Sequence, residues 1–292
     1  MIECRLHIVA LAVAVAGAGP LVRAAQPQPP AADLLKQADE RFAKAGSDPA
    51  ANEQVLALYD QVIAADPTLA RAHVGKCRTL ARLQRHAEAV PVCSEAVRLA
   101  PNDWEPLRFR GHYYISTRRF DEAIADLQKA ADLQAAGKDD YNIYYHLGLA
   151  HYLSGHWDEA ARAYERCARA ARDDDGRVAC TTWLVPSLIR AGRKAEAEQQ
   201  LARVAPSMQV KENLAYLDRL LLFKGVKSEA QVAEGMQKDA LQASTVGYGI
   251  GLWHLLQGRT DRAREYFRKA AATEARAAFG YIASETELKR MK

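Results

Sequence analysis

The sequence lacks the short motifs that carry most enzyme chemistry. No nucleophile elbow, phosphate loop or metalloprotease motif occurs in its 292 residues, so the commonest hydrolase and nucleotide-binding classes have no support. Charge of one sign is also scarce. The surplus is only +4, from 40 basic and 36 acidic residues, which gives no case for nucleic acid as a partner. Long apolar runs are absent as well. The longest, Ile8 to Gly19, is too short to span a bilayer as a helix. No cysteine follows that run until Cys77, which excludes a lipid anchor placed just after it. The histidines His146, His151 and His156 lie five apart, whereas metal ligands on one helix want spacings of three or four. The glycines Gly247, Gly249 and Gly251 fall inside a helical pattern with no strand before it, so they read as helix packing. No metal and no cofactor is expected.

What is present begins with an export signal. Arg5 precedes the apolar run, Pro20 ends it, and Val22-Arg23-Ala24 offers acceptable residues before a cleavage point. Residues 1–24 therefore read as a secretory signal peptide cut after Ala24, although Glu3 is unusual in such a segment. Residues 25–32, rich in Gln and Pro, read as a linker. The mature chain is expected in the periplasm, without a lipid anchor. Four cysteines remain in it: Cys77, Cys93, Cys167 and Cys180. An even number in an oxidising compartment implies two bridges. At 49% hydrophobic and 26% charged residues the composition is that of a folded soluble chain.

A short step ending in alanine then recurs six times. It reads His-Ala-Glu-Ala at 86–89, Phe-Asp-Glu-Ala at 120–123 and Trp-Asp-Glu-Ala at 157–160. It continues as Lys-Ala-Glu-Ala at 194–197, Lys-Ser-Glu-Ala at 227–230 and Thr-Asp-Arg-Ala at 260–263. The alanines are 34, 37, 37, 33 and 33 residues apart. A period near 34 predicts an all-α solenoid of stacked helix–turn–helix units. Such arrays present long surfaces to partners and seldom carry catalysis.

Further columns share the register. Twelve residues before the alanine stand Cys77, Gly111, Gly148 and Gly251, the close-contact position of the first helix. Glycine costs about 1 kcal/mol in a helix interior relative to alanine, so that column needs a packing reason. Five residues before the alanine stand Gly155, Gly192, Gly225 and Gly258, in the turn. Together the columns resemble the tetratricopeptide repeat family, through Tyr144-x-x-Leu147-Gly148-x-x-x-Tyr152 with Ala160, Tyr164 and Cys167, and through the closing Pro67 and Pro101. The resemblance covers about residues 33–275, in seven units, and predicts a capping helix over 276–292. Residues 216–292 also resemble the second half of NlpI-type periplasmic repeat lipoproteins, through Leu221 to Ala230, Gly249 to Gly258, Tyr281 and Leu288. That subgroup acts as an adaptor for periplasmic peptidases and cell-wall hydrolases. Its lipid-attachment cysteine is missing here.

The resemblance places the concave groove on the first helix of each unit. The candidate partner-binding residues are Arg71, Arg78, Arg82, Arg108, His112, Asn142, Tyr145 and Tyr152. They suggest a basic stretch leading into an aromatic pocket that Trp183 would extend, suited to an extended peptide or a helix with an acidic end. The alternatives are an exposed, self-paired helix face for the arginines and core packing for Tyr152. The Lys and Asn with which the chaperone-binding subgroup holds a terminal carboxylate are absent: Val74, Arg78, Arg108 and His112 stand in those places. The same register pairs Cys77 with Cys93 and Cys167 with Cys180, with buried free thiols as the alternative. The expected role is a non-catalytic adaptor binding proteins, with a structural subunit of an envelope complex as the alternative. The leucine-rich first helix of unit six could bury a face against a second copy, making a homodimer.

Overall fold

A computed structural model describes residues 29–134 and 140–292; the expected signal peptide and the first half of the expected linker lie outside the described residues. Among those described, fifteen α-helices form and no strand does. Fourteen of them pair as seven hairpins: α1 (Ala31–Ala45) with α2 (Pro49–Ala65), α3 (Ala70–Arg82) with α4 (His86–Leu99), and α5 (Trp104–Ser116) with α6 (Phe120–Asp132). Next come α7 (Tyr141–Ser154) with α8 (Trp157–Ala170), and α9 (Asp174–Arg190) with α10 (Lys194–Ala202). Then α11 (Leu214–Phe223) pairs with a short α12 (Glu229–Ala233), and α13 (Ala240–Leu256) with α14 (Thr260–Ala270). A last helix, α15 (Phe279–Arg290), follows. The fold is the all-α solenoid that the period predicts.

Side-chain caps start several first helices. Asp103, Asp140, Asp173 and Asp239 each accept a backbone N–H of the following turn, satisfying a donor that the helix itself leaves free. Between the hairpin's helices the chain needs one left-handed residue. Gly155, Gly192, Gly225 and Gly258 supply it with φ of 86°, 80°, 75° and 75°. Units two and three put Gln84 (φ 60°) and Arg118 (φ 63°) at the same place, a conformation that costs a non-glycine residue about 1–2 kcal/mol.

The close-contact column has a steric cause. A Cβ added at Gly111 would stand 2.6 Å from Leu127, one at Gly148 2.8 Å from Tyr164, and one at Gly251 2.7 Å from Phe267. In each case the partner lies sixteen residues on, in the second helix. Cys77 and Cys93 occupy the same two positions of unit two and are joined by a disulfide, with their Cα atoms 5.6 Å apart. Cys167 and Cys180 join α8 to α9, with a Cα separation of 5.9 Å.

The array does not run on as an open spiral. Tyr248 of α13 donates its hydroxyl hydrogen bond to Tyr152 of α7 over 2.9 Å, and its ring stacks on Trp183 of α9. Unit seven therefore reaches back to unit four. Helix α15 packs on α13 and α14 and at the same time lies against the first helices of units three to five. Its Ile282 and Ala283 are fully buried. It runs inside the curve of the solenoid. No helix among the described residues is long and apolar enough to cross a membrane.

Candidate functional site: an arginine-lined cleft on the concave face

Helix α15 divides the concave face. Over units four and five the face is filled. Phe279 sits among His112, Tyr145 and His146, with ring centroids 5.7, 6.0 and 5.8 Å away. Arg118 pairs with Glu285 at 2.8 Å, Arg190 with Glu287 at 2.8 Å, and Arg290 donates to the Leu153 carbonyl at 2.6 Å. Over units one to four a cleft of about 1030 Å³ stays open. One wall is the inner face of α3 and α5, with Phe42 at its end. The other is the start of α13 and the strap from Glu274 to Phe279.

Arginines dominate the first wall. The Arg78 guanidinium lies between Phe42 and Phe109, 4.6 and 4.7 Å from their centroids. Arg82 covers Phe42 at 3.5 Å and donates to its carbonyl, while Arg108 lies 4.0 Å over Phe109. Stacking on rings holds a guanidinium by its face and leaves its donating edge free. Among the described residues none of the three has a carboxylate within ion-pair distance, whereas Arg71, Arg85, Arg98, Arg110 and Arg119 beside them on the same hairpins all do. Burial lowers the pKa of Arg108, and burial with the nearby Arg78 lowers that of Arg82, but a guanidinium keeps its charge at neutral pH.

The histidines of the cleft are neutral there. His112 stacks on His146 with centroids 4.1 Å apart, and burial followed by that neighbour holds it well below the usual histidine range. Burial, then Arg108, pushes His146 down to about 3, and its Nδ1–H donates to the Asn142 carbonyl. Several polar atoms of this wall have no partner among the described residues: Arg108 Nε, both ring nitrogens of His86, and Oγ of Ser116, a residue only 6% exposed.

Of the candidate residues, Arg78, Arg82, Arg108, His112 and Asn142 line the cleft together. Arg71 stands apart, exposed and paired with Asp39 at 2.8 Å. Tyr145 is buried beneath Phe279 and accepts from the Trp183 indole N–H, and Tyr152 is fully buried. The expected aromatic pocket is thus closed by the chain's own α13 and α15. Phe42, Phe109, His86, Asp239, Glu274 and Phe279 join the cleft without having been singled out. Phe109 neighbours Arg108 in sequence, but nothing local marks Phe279, which arrives from 167 positions beyond His112 through closure of the array. A second hollow of about 590 Å³, between α8, α9 and the segment after α10, mixes Arg169 and Arg203 with Glu165 and Asp174 and has no such one-signed wall. No group of three or more potential metal ligands occurs among the described residues.

A family model described as tetratricopeptide repeat matches residues 56–103 and 110–175. These matched segments are tetratricopeptide repeats. Two relatives share part of the array. DnaJ homolog subfamily C member 3 of Gallus gallus is 30% identical over 95 residues, which is 31% of this chain and 18% of the relative. Its counterpart from Rattus norvegicus is 30% identical over 78 residues, 25% of this chain and 16% of the relative. The chain thus spans less than a fifth of the length of these relatives. Among solved structures, MamA 41-end from Desulfovibrio magneticus RS-1 is 17% identical, with a TM-score of 0.51 over 60% of this chain and 93% of that one. That likeness is one of fold alone. The repeat family consists of protein-interaction modules, and the NlpI-type resemblance of residues 216–292 lies outside the matched segments.

Proposed function

We propose that this tetratricopeptide-repeat protein is a non-catalytic adaptor of the cell envelope that holds a segment of a partner protein in the arginine-lined cleft. The observation that carries this reading is the set of three arginines, Arg78, Arg82 and Arg108, without carboxylate partners among the described residues, in an open concave cleft. Charge-assisted, bidentate bonds to carboxylates are the strongest interaction such a wall can make. Aromatic rings beneath the guanidinium groups supply rigid contact area. The polar atoms converging there follow no nucleophile–base geometry, which favours binding over chemistry. Two disulfide-bonded cysteine pairs support an oxidising compartment and hence the periplasm. The NlpI-type resemblance supports peptidases or cell-wall hydrolases as the proteins recruited.

Crosslinking of tagged mature protein in the periplasm, with partners identified by mass spectrometry, tests the reading. Recovery of a peptidase or cell-wall hydrolase is expected, and Arg78→Glu with Arg108→Glu should abolish it. Unchanged capture by that double variant would remove the cleft from the function.

A further inference from the structure

The two walls of the cleft carry opposite charge. Arg78, Arg82 and Arg108 stand on one side, and Asp239 and Glu274 on the other. Among the described residues neither carboxylate has a cationic partner within ion-pair distance, and the walls do not pair with each other across the gap. The first wall also holds the unpartnered Ser116 hydroxyl, on a residue more than nine-tenths buried. A buried polar group without a partner is costly, so this wall is unsatisfied in both charge and hydrogen bonds.

Spacing narrows the occupant. Arg78 and Arg82 are one helical turn apart, about 6 Å along α3. In an extended chain, side chains two residues apart point to the same side and repeat about every 6.6 Å, and the residue between them points to the opposite side. A carboxylate repeat of two therefore matches the arginine repeat. The intervening side chains then face Asp239 and Glu274.

Building on the adaptor reading, we infer that the cleft recognises an extended protein segment of alternating charge, with acidic residues two apart on the arginine wall and basic residues between them on the Asp239–Glu274 wall. Recognition is by pattern and not by net charge, since the segment itself is close to neutral.

Fluorescence anisotropy with the mature chain tests this with three labelled peptides of equal length. The first alternates Glu and Lys, the second has the same composition in two blocks, and the third alternates Glu and Thr. The alternating Glu/Lys peptide is expected to bind, and the block peptide about tenfold or more weaker, the equivalent of one lost charge-assisted pair. Arg78→Gln with Arg108→Gln should weaken both alternating peptides. Asp239→Asn, which can retain the cap of α13, with Glu274→Gln should weaken only the Glu/Lys peptide. Thermal melts by circular dichroism establish that each variant is folded. Equal binding of the block peptide, or equal binding of the Glu/Thr and Glu/Lys peptides to the wild type, would overturn the inference. So would failure of all three peptides while the chain still captures periplasmic partners, an outcome that leaves the adaptor reading standing. Capture unaffected by Arg78→Glu with Arg108→Glu would sink both.

Discussion

Glu287 is the carboxylate through which α15 is tied to unit five, and its removal should be costly. Its side chain is 3% exposed and accepts from Arg190 at 2.8 Å and Arg290 at 2.9 Å. The Arg190 side chain is itself only 11% exposed, and its guanidinium lies over Trp157 and Tyr152. Glu287→Ala leaves that cation buried without a counter-charge. Breaking a buried pair in this way costs about 3–5 kcal/mol, against about 0–1 kcal/mol for an exposed pair. Arg85 with Glu88, at 38% and 57% exposure, is a suitable exposed comparison within the same chain. Thermal unfolding followed by tryptophan fluorescence reads both variants, because Trp183 is fully buried beside Tyr248 and reports on closure of the array. At about 2–4 °C per kcal/mol, Glu287→Ala should lower Tm by about 6–20 °C and Glu88→Ala by no more than about 4 °C. Replacing both partners, as Arg190→Met with Glu287→Leu, should recover most of the loss, since no buried charge is then stranded. Equal effects of Glu287→Ala and Glu88→Ala would refute the claim that α15 is locked into the concave face.

Three other outcomes follow from named positions. Gln84→Gly should stabilise the fold by about 0.5–1 kcal/mol, because glycine relieves the left-handed backbone at φ 60° at some entropic cost; chemical denaturation measures it. Cys77→Ala with Cys93→Ala should cost about 3 kcal/mol, the loop-closure value for bridged residues sixteen apart, and non-reducing peptide mapping of exported protein should find both bridges; four free thiols would contradict them. Stability should fall on acidification. The His146 pKa is pushed below its unfolded value, to about 3, so its contribution is fully present above about pH 6.5 and is lost as pH falls towards 3; at pH 5 this amounts to about 2 kcal/mol, and His146→Phe should flatten that part of the stability profile.

Most of the repeat was legible because each column answers to one local demand. Gly148 stands where a methyl group would collide with Tyr164, and Gly155 where the turn needs a positive φ. A single sequence shows such demands once the register is found. The register even bears on the bridge at Cys77 and Cys93, which occupy the positions of Gly148 and Tyr164 in another unit. The groove was less legible. Arg78, Arg82 and Arg108 follow from the groove positions that the family resemblance implies, but whether they are paired depends on neighbours in other units. The residues that close the aromatic half could not be found this way, since Tyr248 and Phe279 meet units three to five only because of how sharply the solenoid curves. Curvature accumulates from small rotations at each helix interface, and no one residue encodes it.

That closure also explains how walls of opposite charge remain apart. The arginine wall is rigid on its own, since its guanidinium groups rest on the rings of Phe42 and Phe109. The carboxylate wall is set at Asp239 by the cap of α13 and at Glu274 by α15, because the strap from Glu274 to Phe279 is fixed by the Arg118 bond to the Arg276 carbonyl and by Phe279 in its ring of aromatic neighbours. A cleft with one mobile wall would collapse on the attraction between its sides and satisfy its own charges. With both walls braced, the charges are left for an occupant, and little ordering is needed when it binds. Glu287→Ala tests this link as well. It alters no residue of the cleft, yet by loosening α15 it should weaken the alternating Glu/Lys peptide while leaving the Glu/Thr peptide, held by the arginine wall alone, much as before. Equal loss for both peptides would mean that α15 supports the array as a whole and not the second wall in particular.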